Sequence, residues 1–285
     1  EFYKNSEKAW PVTTVDTPSR VHATLVTGRR ELAPGVVLLE LDAPELAASA
    51  LPGQFVMAIP PSGESAATAL GIYEAQMRCA SLLFFVTGKR TRELSEMHVG
   101  ERLDVVGPLG NGFDLSGSPR RVAIVAGGVG IASVLLPAQA LIRARARVTL
   151  LYGARTASLL VEAQRFADAG CEVALATDDG TAGYHGYVTD LLERSRNHDL
   201  ILACGPSPML RAVARVAHQI GVRAQLSLEE TFACGVGGCW GCVVPIVRTS
   251  AQAPSFPPES AGGSDVVHAR ICKEGPVFWS NELRW

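Results

Sequence analysis

The rhythm of hydrophobic and polar positions changes near residue 120, and that change divides the chain. From about Val21 to Leu115, short β-branched runs are separated by turns. Val36–Asp42 alternates, Gln54–Pro60 follows Pro-Gly, Leu82–Thr87 ends at Gly88, and Arg102–Val106 stops at Gly-Pro. Strands at this spacing predict an antiparallel barrel or sandwich. Beyond Arg120, apolar runs alternate with segments of helical length. Arg121–Ala126 reads as a buried parallel strand, followed by Val148–Tyr152, Glu172–Ala176 and Asp199–Cys204; Ser158–Ala169 and Pro208–Ile220 read as helices. That alternation predicts a βαβ domain with a parallel sheet. From Ala224 onward a cysteine-rich segment forms a third, small unit. Residues 248–265 are rich in Pro, Ser, Gly and Ala and read as a mobile loop inserted in it. The expected division is an N-terminal arm over 1–20, a barrel over 21–117, an α/β domain over 118–224 and the cysteine unit over 225–285. Internal repeats are absent.

Composition narrows the class only slightly. The 285 residues are 47% hydrophobic and 19% charged, with a net charge of −2, so nothing electrostatic favours nucleic acid or an anionic membrane. No uncharged stretch approaches the roughly 20 residues that cross a bilayer. The first twenty residues lack the apolar core of a signal peptide. The expectation is a soluble, cytoplasmic protein without membrane insertion.

The cysteines change the picture. Cys234-Gly-Val-Gly-Gly-Cys239-Trp-Gly-Cys242 is C-x4-C-x2-C, and Cys272 follows thirty residues later. This is the spacing by which four thiolates hold a plant-type [2Fe–2S] cluster, which moves one electron at a time. Gly235, Gly237, Gly238 and Gly241 let the loop curl and bring its N–H groups to the sulfurs. Zinc prefers two C-x2-4-C knuckles or Cys/His pairs, and only Cys239–Cys242 resembles one. Disulfides are disfavoured by the expected compartment. Cys79 and Cys171 read as buried small hydrophobes.

Two further segments point to a nucleotide. Gly127-Gly128-Val129-Gly130 follows a strand and opens a helix, where glycines admit a pyrophosphate to a helix N-terminus. Pro137 lies inside that helix and predicts a kink or a later start. At the end of a later strand, Cys204-Gly205-Pro206-Ser207-Pro208-Met209 stops the strand at its carboxyl end, where open α/β sheets bind ligands. Ser207 is the expected N-cap and Pro208 the first helical residue.

A barrel followed by a nucleotide-binding βαβ domain with these two segments resembles the ferredoxin–NADP reductase superfamily. The four cysteines narrow the resemblance to the electron-transfer subunit of NAD-dependent dihydroorotate dehydrogenase. Supporting stretches include Thr91–Ser95, Val106–Leu115, Ala176–Thr181, Gly186–Asp190, Ser227–Glu230 and Cys272–Phe278. The resemblance implies a ferredoxin-reductase-like, FAD-type barrel, a Rossmann-like NAD-binding domain and a small [2Fe–2S] unit. It implies NAD(H) at Gly127, Gly128, Gly130, Cys204, Gly205, Pro206 and Met209, and a cluster on Cys234, Cys239, Cys242 and Cys272. It also implies FAD on the barrel and a partner flavoprotein dehydrogenase, FMN-containing, in a hetero-oligomer.

The barrel departs from that family's pattern. Its Arg-Pro-[apolar]-Ser motif aligns with Thr68–Gly71, so Thr68 replaces the arginine expected at the flavin pyrophosphate and Gly71 the serine expected near the isoalloxazine. A family Tyr-Arg pair aligns with Phe84-Phe85, and a Gly-Thr with Arg90-Thr91. Thr68, Gly71, Tyr73, Phe85 and Thr91 are therefore the candidate flavin residues of an altered site. Tyr73 is positioned to stack on an aromatic ring, and Arg78 and Arg90 are candidate replacement cations. Three readings stay open: a chain that passes electrons between NAD(H), FAD and the cluster, a flavin-free docking or conduit subunit of a larger oxidoreductase, and a barrel with a changed ligand such as another flavin or nucleotide. Asp178-Asp179 reads as a turn ahead of a place beside the nucleotide domain's active face, Glu229-Glu230 as a solvated end ahead of carboxylates that tune the cluster potential, and Arg155 as a 2′-phosphate contact or ordinary surface.

Overall fold

The computed structural model describes residues 19–63, 65–247 and 266–285. Most of the expected arm over 1–20 and the whole expected loop over 248–265 lie outside the described residues. Six strands, β1 (Arg20–Ala33), β2 (Val36–Asp42), β3 (Phe55–Ile59), β4 (Thr68–Gln76), β5 (Cys79–Phe85) and β6 (Arg102–Leu109), close an antiparallel barrel in the order β1-β2-β5-β4-β3-β6. Helices α1 (Pro44–Ser49) and α2 (Lys89–Ser95) lie in its connections. Side chains alternate across each strand. Leu39, Leu41, Ile72, Leu82 and Phe84 fill the barrel interior, while Val36, Leu38, Tyr73 and Leu83 face outward into a second core shared with the α/β domain.

That domain runs β7 (Arg121–Gly127), a 3-10 turn over Gly128–Ser133, α3 (Leu135–Arg143), β8 (Arg147–Ala154), α4 (Ala163–Asp168), β9 (Glu172–Thr177), β10 (Tyr184–His185), α5 (Val188–Arg194), β11 (Leu200–Cys204), α6 (Ser207–Ile220) and β12 (Arg223–Ser227). Pro137 marks the later start: α3 begins at Leu135 after the 3-10 turn, so proline occupies the first helical turn, where its missing N–H costs nothing. The helix expected over Ser158–Ala169 is interrupted, because Glu162 takes a left-handed φ of 60° and α4 starts after it. Helix α6 starts one residue early, with Pro206 at the cap and Ser207 at its first position.

A larger correction concerns the C-terminal segment. The boundary expected after residue 224 cuts through β12, which pairs parallel with β11. The last strand, β15 (Val277–Trp279), then pairs antiparallel with β12 and completes a seven-stranded sheet, β10-β9-β8-β7-β11-β12-β15. Between them the ribbon β13 (Val243–Val247) and β14 (Val266–Arg270) stands apart. The cysteine unit is thus an excursion from the edge of the nucleotide sheet. Its pairing partners lie far apart in sequence, so no local pattern announces them.

Barrel and α/β domain are also joined by a polar clamp. Tyr73 is 1% exposed and its hydroxyl donates to Glu162 Oε2 at 2.9 Å. On the next residue of β4, the Glu74 carboxylate accepts from Gln139 Nε2 at 2.8 Å and pairs closely with Arg165. Burial, and then the Glu162 charge, hold the Tyr73 phenol protonated well above its ordinary range. Replacing Glu74 by Ala strands both partners and is expected to cost about 1.5–3 kcal/mol, read as a lowered midpoint of thermal unfolding. Arg78→Ala, which removes a side chain 71% exposed, stays within about 0.5 kcal/mol.

Candidate functional site

The two nucleotide segments meet at the carboxyl ends of adjacent parallel strands, β7 and β11. A Cβ added at Gly130 would stand 2.1 Å from the Cys204 carbonyl oxygen, so only glycine lets the turn pack against the end of β11. Gly127 lies against Met209 and Pro206 in the same way. All seven expected nucleotide residues are therefore neighbours around one helix-opening turn, a ready anion site. The Cys204 side chain is fully buried and contributes structure there, leaving its backbone to form the turn.

Beside this turn, a cleft of about 350 Å³ separates the barrel from the α/β domain. Its barrel wall includes Thr68, Gly71, Phe85 and Thr91, four of the five expected flavin residues. Tyr73 is the exception: its ring is buried in the interdomain core and its hydroxyl is spent on Glu162, so it is not a stacking platform. The opposite wall carries Val129 and Ser133 of the glycine turn, together with Glu229 and Phe232. Position 71 has a physical reason to be glycine, since a Cβ there would lie 2.7 Å from the Ser133 hydroxyl. A hydroxyl thus reaches this part of the cleft from Ser133, across the domain boundary. Arg78 pairs with Asp42 at 3.2 Å and is not among the lining residues. Arg90 donates to the Ala67 carbonyl at 3.1 Å, next to Thr68. An aromatic and glycine-lined cleft with threonine and serine hydroxyls, in the size range of ligand sites, fits a flavin ring.

Sequence reasoning missed Ser133, Ser227 and Phe232; Glu229, expected at a solvated end, is exposed and also borders the cleft. The Cys204 thiol donates to Glu229 Oε1 at 3.4 Å, and the Ser133 and Ser227 hydroxyls also reach that sulfur. Burial, then the Glu229 charge, keep the thiol protonated. Crowding by the cleft walls raises the Glu229 carboxyl above its ordinary value, opposed by the Cys204 hydrogen bond. The signal available in sequence was the Ser227-Leu-Glu-Glu stretch, with no periodicity to give it a place.

From Phe232 the chain enters the cysteine loop. Phe232 packs against Phe55 of β3 with ring centroids 5.1 Å apart. The curl comes at Gly235 and Gly237, with φ of 70° and 81°, and also at Trp240 with φ 56°; Gly238 and Gly241 do not share it. Cys234 Sγ accepts from the N–H groups of Gly238 at 3.3 Å and Cys239 at 3.4 Å. Burial opposes ionisation of Cys234, yet these N–H groups, with that of Val236 and the Cys239 thiol, bring it down to about 6. The fourth cysteine returns through the β13–β14 ribbon. Ile271 N–H donates to the Cys242 carbonyl at 2.8 Å, and Cys272 N–H lies 3.4 Å from the Cys242 sulfur. Among the described residues no three metal-binding side chains converge on one ion position. The contacts instead link Cys234 with Cys239 and Cys242 with Cys272. Two thiolate pairs are the donor set that two sulfide-bridged irons require. Cys239 is exposed, whereas Cys242 and Cys272 are buried.

Residues 124–215 match the family model of an oxidoreductase NAD-binding domain. Over 276 residues the chain is 33% identical to the electron transfer subunit of dihydroorotate dehydrogenase B (NAD(+)) from Desulforamulus reducens, spanning 94% of this chain and 99% of that one. The chain belongs to that family. The same subunit of Bacillus caldolyticus is 36% identical over 206 residues, 71% of this chain and 73% of its own. A solved NADH-dependent reduced ferredoxin-NADP oxidoreductase, described in connection with flavin-based electron bifurcation, superposes with a TM-score of 0.78 at 29% identity, covering 93% of this chain and 90% of that one. Among the described residues no helix is long and apolar enough to cross a membrane.

If the Gly130 turn and the end of β11 form one nucleotide site, Gly130→Ala forces them apart. NADH binding is then expected to weaken at least about tenfold in equilibrium titration, a loss of about 1.4 kcal/mol. Unchanged binding in the folded variant would separate the two segments from the nucleotide.

Proposed function

We propose that this chain is the electron-transfer subunit of an NAD-dependent oxidoreductase of the dihydroorotate dehydrogenase type. It exchanges electrons between NAD(H), FAD and a [2Fe–2S] cluster, and on with a partner dehydrogenase subunit. The observation that carries the reading is Phe232. It lines the cleft beside the glycine turn and stands two residues before the first cysteine of the loop. Nucleotide turn, cleft and thiolates therefore lie in series.

Each part has a task. The Gly127–Gly130 turn and the Cys204–Met209 segment would hold the dinucleotide at the helix-opening turns. Thr68, Phe85, Thr91 and Ser133 shape the cleft wall and would hold a flavin ring there. A flavin supplies the exchange between a two-electron hydride donor and a one-electron cluster. Cys204 keeps a buried, protonated thiol beside the cleft, hydrogen-bonded to the exposed Glu229 carboxyl, whose pKa is raised. Phe55, Phe232 and Met57 pack the gap between cleft and cysteine loop in one core, excluding water from the path. Cys234, Cys239, Cys242 and Cys272 would hold the cluster, with the Cys239 edge open to a partner.

The exposed apolar side chains Val236, Val243 and Val266 lie on the cysteine loop and its ribbon. Together with Cys239 they form the surface we assign to the partner, a dehydrogenase subunit that carries FMN. The electron path stays short if the acceptor docks there.

The test is anaerobic reduction by NADH, followed by visible absorbance and electron paramagnetic resonance. In the native chain NADH bleaches flavin and cluster together. Cys239→Ser is expected to lose the cluster signal while still passing electrons from NADH to a two-electron artificial acceptor. A folded variant that loses both activities would contradict the proposed order of carriers.

A further inference from the structure

The strand Val266–Arg270 ends on a side chain that reaches back across the cysteine loop. Arg270 Nη1 donates to the Gly237 carbonyl at 2.7 Å, and its guanidinium carbon lies 4.5 Å from the centre of the Trp240 ring. Gly237 and Trp240 lie on either side of Cys239 in the loop. The other edge of the guanidinium is held by Glu274: Nε lies 3.0 and 3.2 Å from its two oxygens, and Nη2 makes a closer contact with the same carboxylate. That carboxylate also accepts from the Arg270 backbone N–H at 2.7 Å, while the Arg270 carbonyl accepts from the N–H groups of Lys273, Glu274 and Gly275. The tight turn so formed contains Cys272. One side chain thereby ties the three-cysteine loop to the turn bearing the fourth cysteine, and it is only 16% exposed.

Its chemistry suits both a structural and an electrical task. A guanidinium is charged at every accessible pH, and its planar fork can bond a carbonyl, a carboxylate and an aromatic face at once. Cluster reduction adds one negative charge, and cluster potentials follow net charge, hydrogen bonding to sulfur and solvent exposure. A fixed, poorly hydrated cation beside the thiolates stabilises the reduced form more than the oxidised form. Glu274, on the far side of the same guanidinium, works in the opposite sense.

We propose that Arg270 is a positioning residue of the cluster, fixing the Gly237–Trp240 segment against the Cys272 turn, and that the Arg270–Glu274 pair sets the cluster's reduction potential. The proposal rests on the cluster assignment above. Protein without iron would defeat that assignment, whereas iron-loaded variants with unmoved potentials would defeat only the proposal.

The experiment is a redox titration of the cluster by electron paramagnetic resonance in the native chain and in Arg270→Gln, Arg270→Lys and Glu274→Gln, each normalised to bound iron. Arg270→Gln is expected to lower the midpoint potential and Glu274→Gln to raise it. Arg270→Lys keeps the charge but not the fork, and is expected to recover more than half of the Arg270→Gln shift while altering the line shape through the loosened Cys239 segment. A role in folding alone predicts that Arg270→Gln and Glu274→Gln both lose iron or move the potential the same way. Either result overturns the proposal, as does an Arg270→Gln cluster of native potential. Should Arg270→Gln not retain iron, the opposed signs of Arg270→Lys and Glu274→Gln against the native chain decide the matter.

Discussion

The short antiparallel seam between Arg223–Ser227 and Val277–Trp279 is the contact on which the rest of the chain depends. It pins both ends of the cysteine excursion to one edge of the nucleotide sheet. The β13–β14 ribbon brings the fourth cysteine back to the other three, and the seam anchors the whole excursion to the sheet. The seam places Leu226 opposite Phe278, both buried, and Arg223 stacks on Trp279 with its guanidinium carbon 3.9 Å from the ring centre. Closing so long a loop carries an entropic cost that grows only slowly with its length. Two short strand pairings, this seam and the β13–β14 ribbon, are enough to hold it.

From that seam the order of the site follows. Ser227 ends β12 at the carboxyl edge of the parallel sheet, so the chain that leaves it passes the cleft before reaching the loop. Glu229 and Phe232 become cleft wall, and Cys234 comes next. The barrel meets the same cleft from the other side because the side chains of β4 and β5 alternate. Phe84 fills the barrel interior and Phe85 lines the cleft. Two of the departures from the family's flavin pattern acquire physical reasons here. Gly71 gives room to Ser133, and Arg90 reaches the Ala67 carbonyl beside Thr68 from α2.

Legibility in the sequence followed the range of the interactions. The cysteine spacing and the two glycine-bearing segments are local patterns that the sequence displays directly, and the structure sets the two segments side by side. The barrel strands β2, β3, β5 and β6 showed as short β-branched runs bounded by turns, β2 with alternation. What escaped was long-range: the placement of β12 and β15 in the nucleotide sheet, the burial of Tyr73 in an interdomain clamp, and the meeting of Ser133, Cys204, Ser227 and Glu229. Tyr73 is instructive. Its position on β4 matched a flavin strand, but only the packing of Glu162 and Arg165 against that strand decides which way its hydroxyl is used. Glu162 in turn sits in a left-handed conformation that broke the helix expected from Ser158 onward.

The central claim is that one chain holds a flavin in the cleft and a [2Fe–2S] cluster on its four cysteines, with Phe232 between them. Quantifying iron, acid-labile sulfide and released flavin in anaerobically purified protein tests it most directly. The account predicts the iron and sulfide of one cluster and one equivalent of FAD per chain. A full cluster with no flavin, not restored by incubation with FAD, would contradict it.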